Sequence, residues 1–404
     1  MLLGKRLGQS CYLVNDWDNR ATLWTIGTIV LQCQPALPPE ECNLENSQLV
    51  IGVDAGGTKT NAWLGRMPRF HQAEQASPWL ADQVEILGRG SAGTGNLRAV
   101  GFEAATENIW LAIVAAYAAA KCPVAPAAAI CMGVAGAGRA EEQSQLEQWS
   151  RTAELAGRAR VIGDALPVLA AAYADRPLRD LERMSGIALI CGTGSMAWGC
   201  IPANDGVATS APEASNDAVA VSQARAGGWG YLLGDEGSGY WIAMQGLRAA
   251  CRSVDGRGPA TRLLPALLER LKLTDPGQLI GAIYGEQFDR RRLAALAEVV
   301  VSLAEQSSQS PDGPASDSQA LEIIERAAAE LCQLVQAVDG QLGFGPAPLT
   351  LAATGGVLLG SSILRQRLQQ ELQQHERAVS IVPIENPVQG AVYLAASLAT
   401  SATA

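Results

Sequence analysis

An α/β protein of two domains is the fold class that this sequence predicts, and three observations lead to it. Leu49-Val-Ile-Gly-Val-Asp-Ala-Gly-Gly-Thr-Lys-Thr60 is an apolar, β-branched strand running into paired glycines, and Asn61-Ala-Trp-Leu64 returns as a second strand. Ile187-Ala-Leu-Ile-Cys-Gly-Thr-Gly-Ser-Met-Ala-Trp198 repeats the same strand, glycine turn and strand. Between and after the two copies, apolar strands alternate with helical stretches, the pattern of mixed sheets covered on both faces. A chain of 404 residues has room for two such cores.

The elements follow in order. Residues 1–47 hold an apolar run, Ala21 to Leu31, that is shorter than the roughly 20 residues a bilayer crossing needs. Asp16 and Asp18 precede that run and argue against a signal peptide. With Pro35, Pro38 and Pro39 near its end, the segment reads as a mobile extension. After the first hairpin a helix is expected over Gly101 to Ala120. Ala127 to Val134 reads as a buried strand entering a glycine turn, Glu141 to Leu155 as a helix, and Ala159 to Asp164 as a strand with an acid at its tip. The second hairpin opens near Ser185, and helices follow at about 238–251, 261–273, 291–306 and 319–338. Ser307 to Ser318 reads as a solvated polar loop. Leu349-Thr-Leu-Ala-Ala-Thr-Gly-Gly-Val357 is a third apolar strand ending in paired glycines, and Pro387 to Leu398 is a helix of small residues. The expected domains are 48–166 with 388–400, and 167–387.

Composition narrows the function. Hydrophobic residues make up 48% and charged residues 17%, as in an ordinary globular protein. Forty acids against thirty bases, with no run of five Lys/Arg, argue against a nucleic-acid or anionic-membrane partner. An anionic ligand would have to be held by backbone amides and a metal rather than by a basic field. Nine cysteines are an odd count with no C-x-x-C pair; Cys131, Cys191 and Cys200, in apolar strands, read as buried free thiols, which fits a reducing cytoplasm. The two histidines, His71 and His375, stand far from any glycine motif, which disfavours a His-based triad or a His-ligated zinc.

The glycine hairpins carry the chemistry. Gly56 and Gly57 let backbone N–H groups approach a phosphate with no Cβ between them. Thr58 and Thr60 add hydroxyls and Lys59 a charge, while Asp54 is placed to hold Mg²⁺ through water. The pattern is not a Walker A loop, which would open a helix. Three strand-to-glycine turns in one chain suggest one nucleotide, with two hairpins on its phosphates and one glycine pair beneath its adenosine.

These motifs resemble those of the sugar kinase/Hsp70/actin superfamily. A longer block, Ala226-Gly-Gly-Trp-Gly-Tyr-Leu-Leu-Gly-Asp-Glu-Gly-Ser-Gly-Tyr-Trp241, resembles more closely the BadF/BadG/BcrA/BcrD ATPase family, which contains N-acetylglucosamine and glucosamine kinases. The resemblance runs from about Leu49 to about Leu398. It implies two actin-like (ribonuclease H-like) α/β domains with a nucleotide cleft between them, closing to exclude water. It implies ATP and Mg²⁺ as cofactors, and transfer of a phosphoryl group to the primary hydroxyl of an amino sugar. Gly56, Gly57, Thr58, Lys59, Gly192, Thr193 and Gly194 would hold phosphates, and Gly355 and Gly356 would lie against the adenosine.

Asp164 matches the family's catalytic aspartate, which takes the proton of the sugar hydroxyl; its plainer reading is a cap on the helix that follows. Asn96, Ser195, Met196, Gly228, Trp229, Gly230, Tyr231 and Asp235 match sugar-contacting positions, as does Asp164 itself. Asn96 also reads as a turn residue. Asp235 and Glu236 also read as charges favouring the start of the next helix. Gly138 stands where several relatives carry an acid. Family kinases are often dimers, and nothing in the chain marks an interface. Two rival readings remain. One is an ATPase that activates a radical dehydratase through an iron–sulfur cluster, toward which Cys191 beside Gly192 points. The other is a sugar sensor that binds without catalysis.

Overall fold

A computed structural model of the chain describes residues 23–26, 29–32, 47–68, 79–202, 221–285, 289–309, 316–345, 347–374 and 378–401. His71 and His375, most of residues 1–47 and the middle of the expected polar loop lie outside these residues. The chain gathers into two compact units. The first runs to Pro167 and adds Ala174–Leu181 and the chain from Val388; the second takes Val168–Tyr173 and Glu182–Pro387.

The extension contributes β1 (Leu23–Ile26) and β2 (Ile29–Gln32), an antiparallel pair forming a sheet of its own. The first unit's main sheet comes from β3 (Ser47–Ala55), β4 (Thr60–Pro68), β5 (Glu85–Ala92), β6 (Ala127–Val134) and β7 (Ala156–Ile162). Its order is β5-β4-β3-β6-β7. β3, β4 and β5 pair antiparallel, and β3, β6 and β7 run parallel. Helix α1 (Leu97–Ala119) joins β5 to β6 and α2 (Ala140–Thr152) joins β6 to β7, and α3 (Ala165–Ala171) follows β7.

β5 has no counterpart among the expected elements; it is the third strand of the sheet, and Asn96 follows it. The glycines that hide this strand are required by packing. A Cβ at Gly88 would sit 2.1 Å from the Ala116 carbonyl oxygen and one at Gly90 2.0 Å from that of Ala112, so α1 lies directly on the bare strand. Among the described residues α1 is the one helix long and apolar enough to cross a membrane. Here it buries Ile109, Ala112, Ile113, Ala116 and Tyr117 in the unit's core. It starts four residues before the expected Gly101, which breaks its first turn with φ of 78°.

The second unit repeats the topology. β8 (Gly186–Cys191), β9 (Ser195–Pro202) and β10 (Val221–Gly227) form the antiparallel part. Helices α4 (Gly239–Val254), α5 (Leu263–Leu271), α6 (Gln278–Tyr284), α7 (Arg290–Ala295), α8 (Ala297–Gln309) and α9 (Ser318–Leu342) follow. Then come β11 (Leu349–Thr354), α10 (Gly356–Gly360), α11 (Ser362–Gln373) and β12 (Val379–Pro383). The sheet order, β10-β9-β8-β11-β12, mirrors the first, again with three strands parallel at one side. The single helix expected at 291–306 is two helices, divided at Leu296.

The expected polar loop is shorter than its composition suggests. α8 runs on through Ser307 to Gln309, and buried Asp317 caps α9, accepting the Ala320 N–H at 3.0 Å. The Asp317 N–H in turn donates to Ser307 Oγ at 2.7 Å. Finally α12 (Pro387–Thr400) belongs to the first unit. It lies so close to β3 that a Cβ at Gly52 would come within 2.3 Å of the Val392 nitrogen.

Candidate functional site

In the first unit, Asp54↔Asn61 and Ala55↔Thr60 are the last pairs of the β3–β4 ladder. The turn between them is closed by the Gly56 N–H donating to the Lys59 carbonyl at 3.0 Å. Gly57, Thr58 and Lys59 are exposed, so the tip presents its amides and its ammonium to solvent. Thr60 is fully buried, and its hydroxyl has no partner among the described residues.

The loop before α1 braces this turn. Thr94 Oγ1 donates to the Gly56 carbonyl at 2.9 Å and accepts the Asn96 N–H at 3.3 Å. Asn96 caps α1, its Oδ1 accepting the Arg98 N–H at 3.0 Å. The cap leaves the other end of the amide toward the hairpin: a Cβ at Gly57 would lie 3.8 Å from Asn96 Nδ2. Asn96 is therefore a helix cap, and the cap leaves the amide's donor end unspent.

Asp54 ends β3, and Asp164 stands two residues beyond β7. Both strands run parallel to β6 between them, so the two acids rise from the same edge of the sheet, about 10 Å apart along it at two strand spacings. The strand expected to carry Asp164 ends at Ile162, which puts the acid at the mouth of α3 rather than on the strand. Burial pushes the Asp54 carboxyl up to about 7, and the charge of Asp164 adds to the rise; Lys59 and a hydrogen bond from Asn61 pull the other way.

Mg²⁺ fits this donor set. A carboxyl that burial and a neighbouring acid make reluctant to ionise would be relieved by a divalent cation. Among the described residues no group of three His, Cys, Asp or Glu converges on a metal position. The ion would therefore take most of its ligands from phosphate and water, as Mg²⁺ commonly does.

In the second unit, Cys191↔Ser195 closes the β8–β9 ladder, and the Gly192 N–H donates to the Gly194 carbonyl at 2.9 Å. This turn is half-buried and carries no charge. The start of α4 abuts it: the Gly239 N–H donates to the Gly192 carbonyl at 2.8 Å and the Tyr240 N–H to that of Thr193 at 3.4 Å. The end of β11 reaches the same place. Gly355 has φ of 108°, and a Cβ on it would fall 2.2 Å from the Cys191 carbonyl oxygen, so only glycine fits. Gly356 then opens α10.

The loop 227–238 folds onto this hairpin. The Gly228 N–H donates to the Ser195 carbonyl at 2.9 Å, and Ser195 Oγ to the Glu236 carbonyl at 2.6 Å. Ser195 is thus buried with its hydroxyl spent inside the protein. Met196 packs beneath Gly228, where a Cβ would lie 3.2 Å from the methionine Cβ. Gly228 and Gly230 take positive φ.

Asp235 also takes positive φ, 62°, and is only 3% exposed. Its carboxylate accepts the Ser195 N–H at 3.4 Å and is ion-paired with Arg290. Burial raises its pKa, with Arg290 opposing the rise. The start of α4 is capped by Ser238, which accepts the Trp241 N–H at 3.3 Å, so the helix does not use Asp235 as its cap. Tyr231 stands edge-on to Tyr240, with ring centroids 5.1 Å apart. Trp229 is 67% exposed, with the Arg225 guanidinium 5.2 Å from its ring.

The structure thus gathers Asp54, Gly56, Gly57, Thr58, Lys59, Asn96 and Asp164 at one sheet edge. It gathers Gly192, Thr193, Gly194, Ser195, Met196, Gly228, Gly230, Tyr231, Asp235, Gly355 and Gly356 at the other unit's edge, with Trp229 turned outward. No motif points to Thr94, hidden in a glycine loop, or to Arg290, 55 residues from its partner Asp235. Cys191 is fully buried and its thiol is pushed up to about 12 by that burial, the opposite of an exposed, readily ionised cluster ligand.

A family model of BadF/BadG/BcrA/BcrD ATPases matches residues 51–207 and 220–395. The chain is 29% identical over 349 residues to the N-acetylmuramic acid/N-acetylglucosamine kinase of Clostridium acetobutylicum, spanning 86% of this chain and 98% of that protein. It is 26% identical over 363 residues to the N-acetyl-D-glucosamine kinase of Dictyostelium discoideum, spanning 87% and 98%. Its fold is similar to the crystal structure of a proposed N-acetylglucosamine kinase from Chromobacterium violaceum, with a TM-score of 0.60, 24% identity, and 86% of this chain and 98% of that one covered.

Proposed function

The chain belongs to the BadF/BadG/BcrA/BcrD ATPase family, and from that premise we propose that it is an ATP-dependent kinase of an amino sugar, N-acetylglucosamine or glucosamine, acting on the primary hydroxyl. The observation that carries this reading is the contact between the Gly-Asp-Glu-Gly-Ser loop and the second glycine hairpin. The Ser195 N–H that ends the phosphate turn donates to the Asp235 carboxylate at 3.4 Å. A carboxylate suited to vicinal hydroxyls is thereby tied to a turn suited to phosphate, which an ATPase with no sugar to position would not need.

Phosphoryl transfer asks for positioning, charge neutralisation and a base, with little covalent help. In this reading the exposed amides of Gly57 and Thr58, with Lys59, hold phosphate at one hairpin, and Gly192 to Gly194 hold it at the other. Gly355 and Gly356 lie flat against the adenosine. Asp164, at the same sheet edge as Asp54 and distinct from both turns, accepts the hydroxyl proton. Mg²⁺ held near Asp54 through water would neutralise phosphate charge. Asn96 offers Nδ2, and Trp229 and Tyr231 offer ring faces to the C–H side of a pyranose. Cys131, Cys191 and Cys200 are free and buried, whereas Cys122 is disulfide-bonded.

The test is ADP release with ATP and Mg²⁺ over a panel of sugars and amino sugars. The reading expects turnover with N-acetylglucosamine or glucosamine well above glucose. Sugar binding without ADP production would point to a sensor, and ADP production indifferent to every sugar would overturn the kinase reading.

A further inference from the structure

Arg290 lies outside every glycine motif, yet it touches three of the second unit's site residues. It is the first residue of α7, whose start is fixed by Asp289 accepting the Arg292 N–H at 2.8 Å. α7 is pressed against the start of α4: a Cβ at Gly239 would lie 3.3 Å from the Ala294 carbonyl oxygen. From there Arg290 Nη2 donates to Asp235 Oδ2. A Cβ at Gly194 would sit 2.7 Å from that nitrogen and 2.8 Å from that oxygen, so the ion pair fills the space beside the phosphate turn. The guanidinium carbon stands 5.3 Å from the centre of the Tyr231 ring.

We infer that Arg290 is a positioning residue for the sugar site, fixing the Asp235 carboxylate against Gly194 and steadying the Tyr231 ring above it. This rests on the reading of Asp235 as a sugar contact. The geometry leaves Asp235 little freedom: its backbone is held at positive φ and one carboxylate oxygen faces the Ser195 N–H while the other takes the guanidinium. A hydroxyl-binding carboxylate held in advance binds without first being ordered. The charged and titratable groups facing Asp235 are Arg290, which lowers its pKa, and Glu236, which raises it; the amides of Ser195 and Gly230 also lower it. Tyr231 faces Arg290 from the far side.

The experiment compares Arg290→Met, Arg290→Lys, Asp235→Asn and the double variant Asp235→Asn/Arg290→Met. Sugar KM, kcat, the pH profile of sugar affinity and calorimetric ADP affinity are measured for each. Arg290→Met is expected to raise the sugar KM at least tenfold, with ADP affinity within about twofold of wild type. Without the cation the Asp235 carboxyl rises further, so sugar affinity should fall away on acidification from a higher pH than in wild type. Arg290→Lys, which returns the charge without the fork, should recover part of the KM. The double variant should bind sugar no worse than Asp235→Asn alone. A sugar KM within twofold of wild type in Arg290→Met, or a further tenfold loss in the double variant over Asp235→Asn, overturns the inference. If Arg290→Met fails to bind ADP, the double variant, freed of an unpaired buried carboxylate, decides. A wild-type enzyme that binds ADP but phosphorylates no amino sugar would instead overturn the kinase reading.

Discussion

The two glycine hairpins hold equivalent positions in sheets of the same order, and they are supported in opposite ways. The first is exposed at its tip, carries Lys59 within the turn, and ends a strand whose last acid feels the charge of Asp164 along the sheet edge. The second is half-buried, carries no charge, and is surrounded by borrowed groups: the first amides of α4, the end of β11, Asp235 and Arg290. The difference teaches that one backbone motif can supply its own electrostatics or import them. A turn that supplies its own can tolerate bulk at its tip. A turn built into its surroundings cannot.

The largest effect should come from the acid pair of the first unit. Asp164→Asn is expected to lower kcat by roughly 10²–10⁴-fold, the usual range for a lost general base, while leaving ATP affinity nearly intact. Turnover within about threefold of wild type would remove Asp164 from the role. The next comparison sets Gly57→Val against Gly194→Val. At Gly57 the nearest neighbour of a Cβ is Asn96 Nδ2 at 3.8 Å, so the fold should survive with a melting temperature within about 2 °C of wild type, while a phosphate loses its close approach. At Gly194 a Cβ meets Arg290 and Asp235 at 2.7 and 2.8 Å, so Gly194→Val should lose nucleotide and also melt at least about 5 °C lower. Equal melting temperatures for the two variants would abolish the distinction drawn between the hairpins.

The smallest effect concerns stability and pH in the metal-free protein. The folded state holds the Asp54 carboxyl at about 7, above its ordinary 3.8, so stability fully present below 3.8 is lost as pH rises through 7. Asp54→Asn should therefore melt higher than wild type at pH 8, by about 3–5 °C, and much the same at pH 4, while losing Mg²⁺-dependent nucleotide affinity. An Asp54→Asn protein that melts like wild type at both pH values would show that Asp54 bears no such strain.

The same contrast explains what can be read in advance. Both hairpins, β6, β11 and the terminal helix are legible because their signals are local: apolar runs ending in glycines or acids. β5 is not, since Gly88 and Gly90 look like turn residues and are in fact bare strand positions on which α1 rests. The buried cap Asp317 is hidden because it depends on a partner distant in sequence: Thr261 Oγ1 donates to its carboxylate. The first hairpin's acids are readable from strand ends. Arg290 is not, because nothing near it in sequence refers to Asp235.

The buried thiols give the two sheets separate voices. Cys131 lies inside β6 of the first unit, whereas Cys191, Cys200 and Cys332 lie within the second, and all four are buried while Cys251 is exposed. An alkylating reagent can reach the four only when the surrounding strands or helix open. Timed labelling in mild denaturant, read peptide by peptide, would therefore show whether the repeated halves of this chain unfold together or one before the other, with nucleotide or sugar added to see which half each ligand protects.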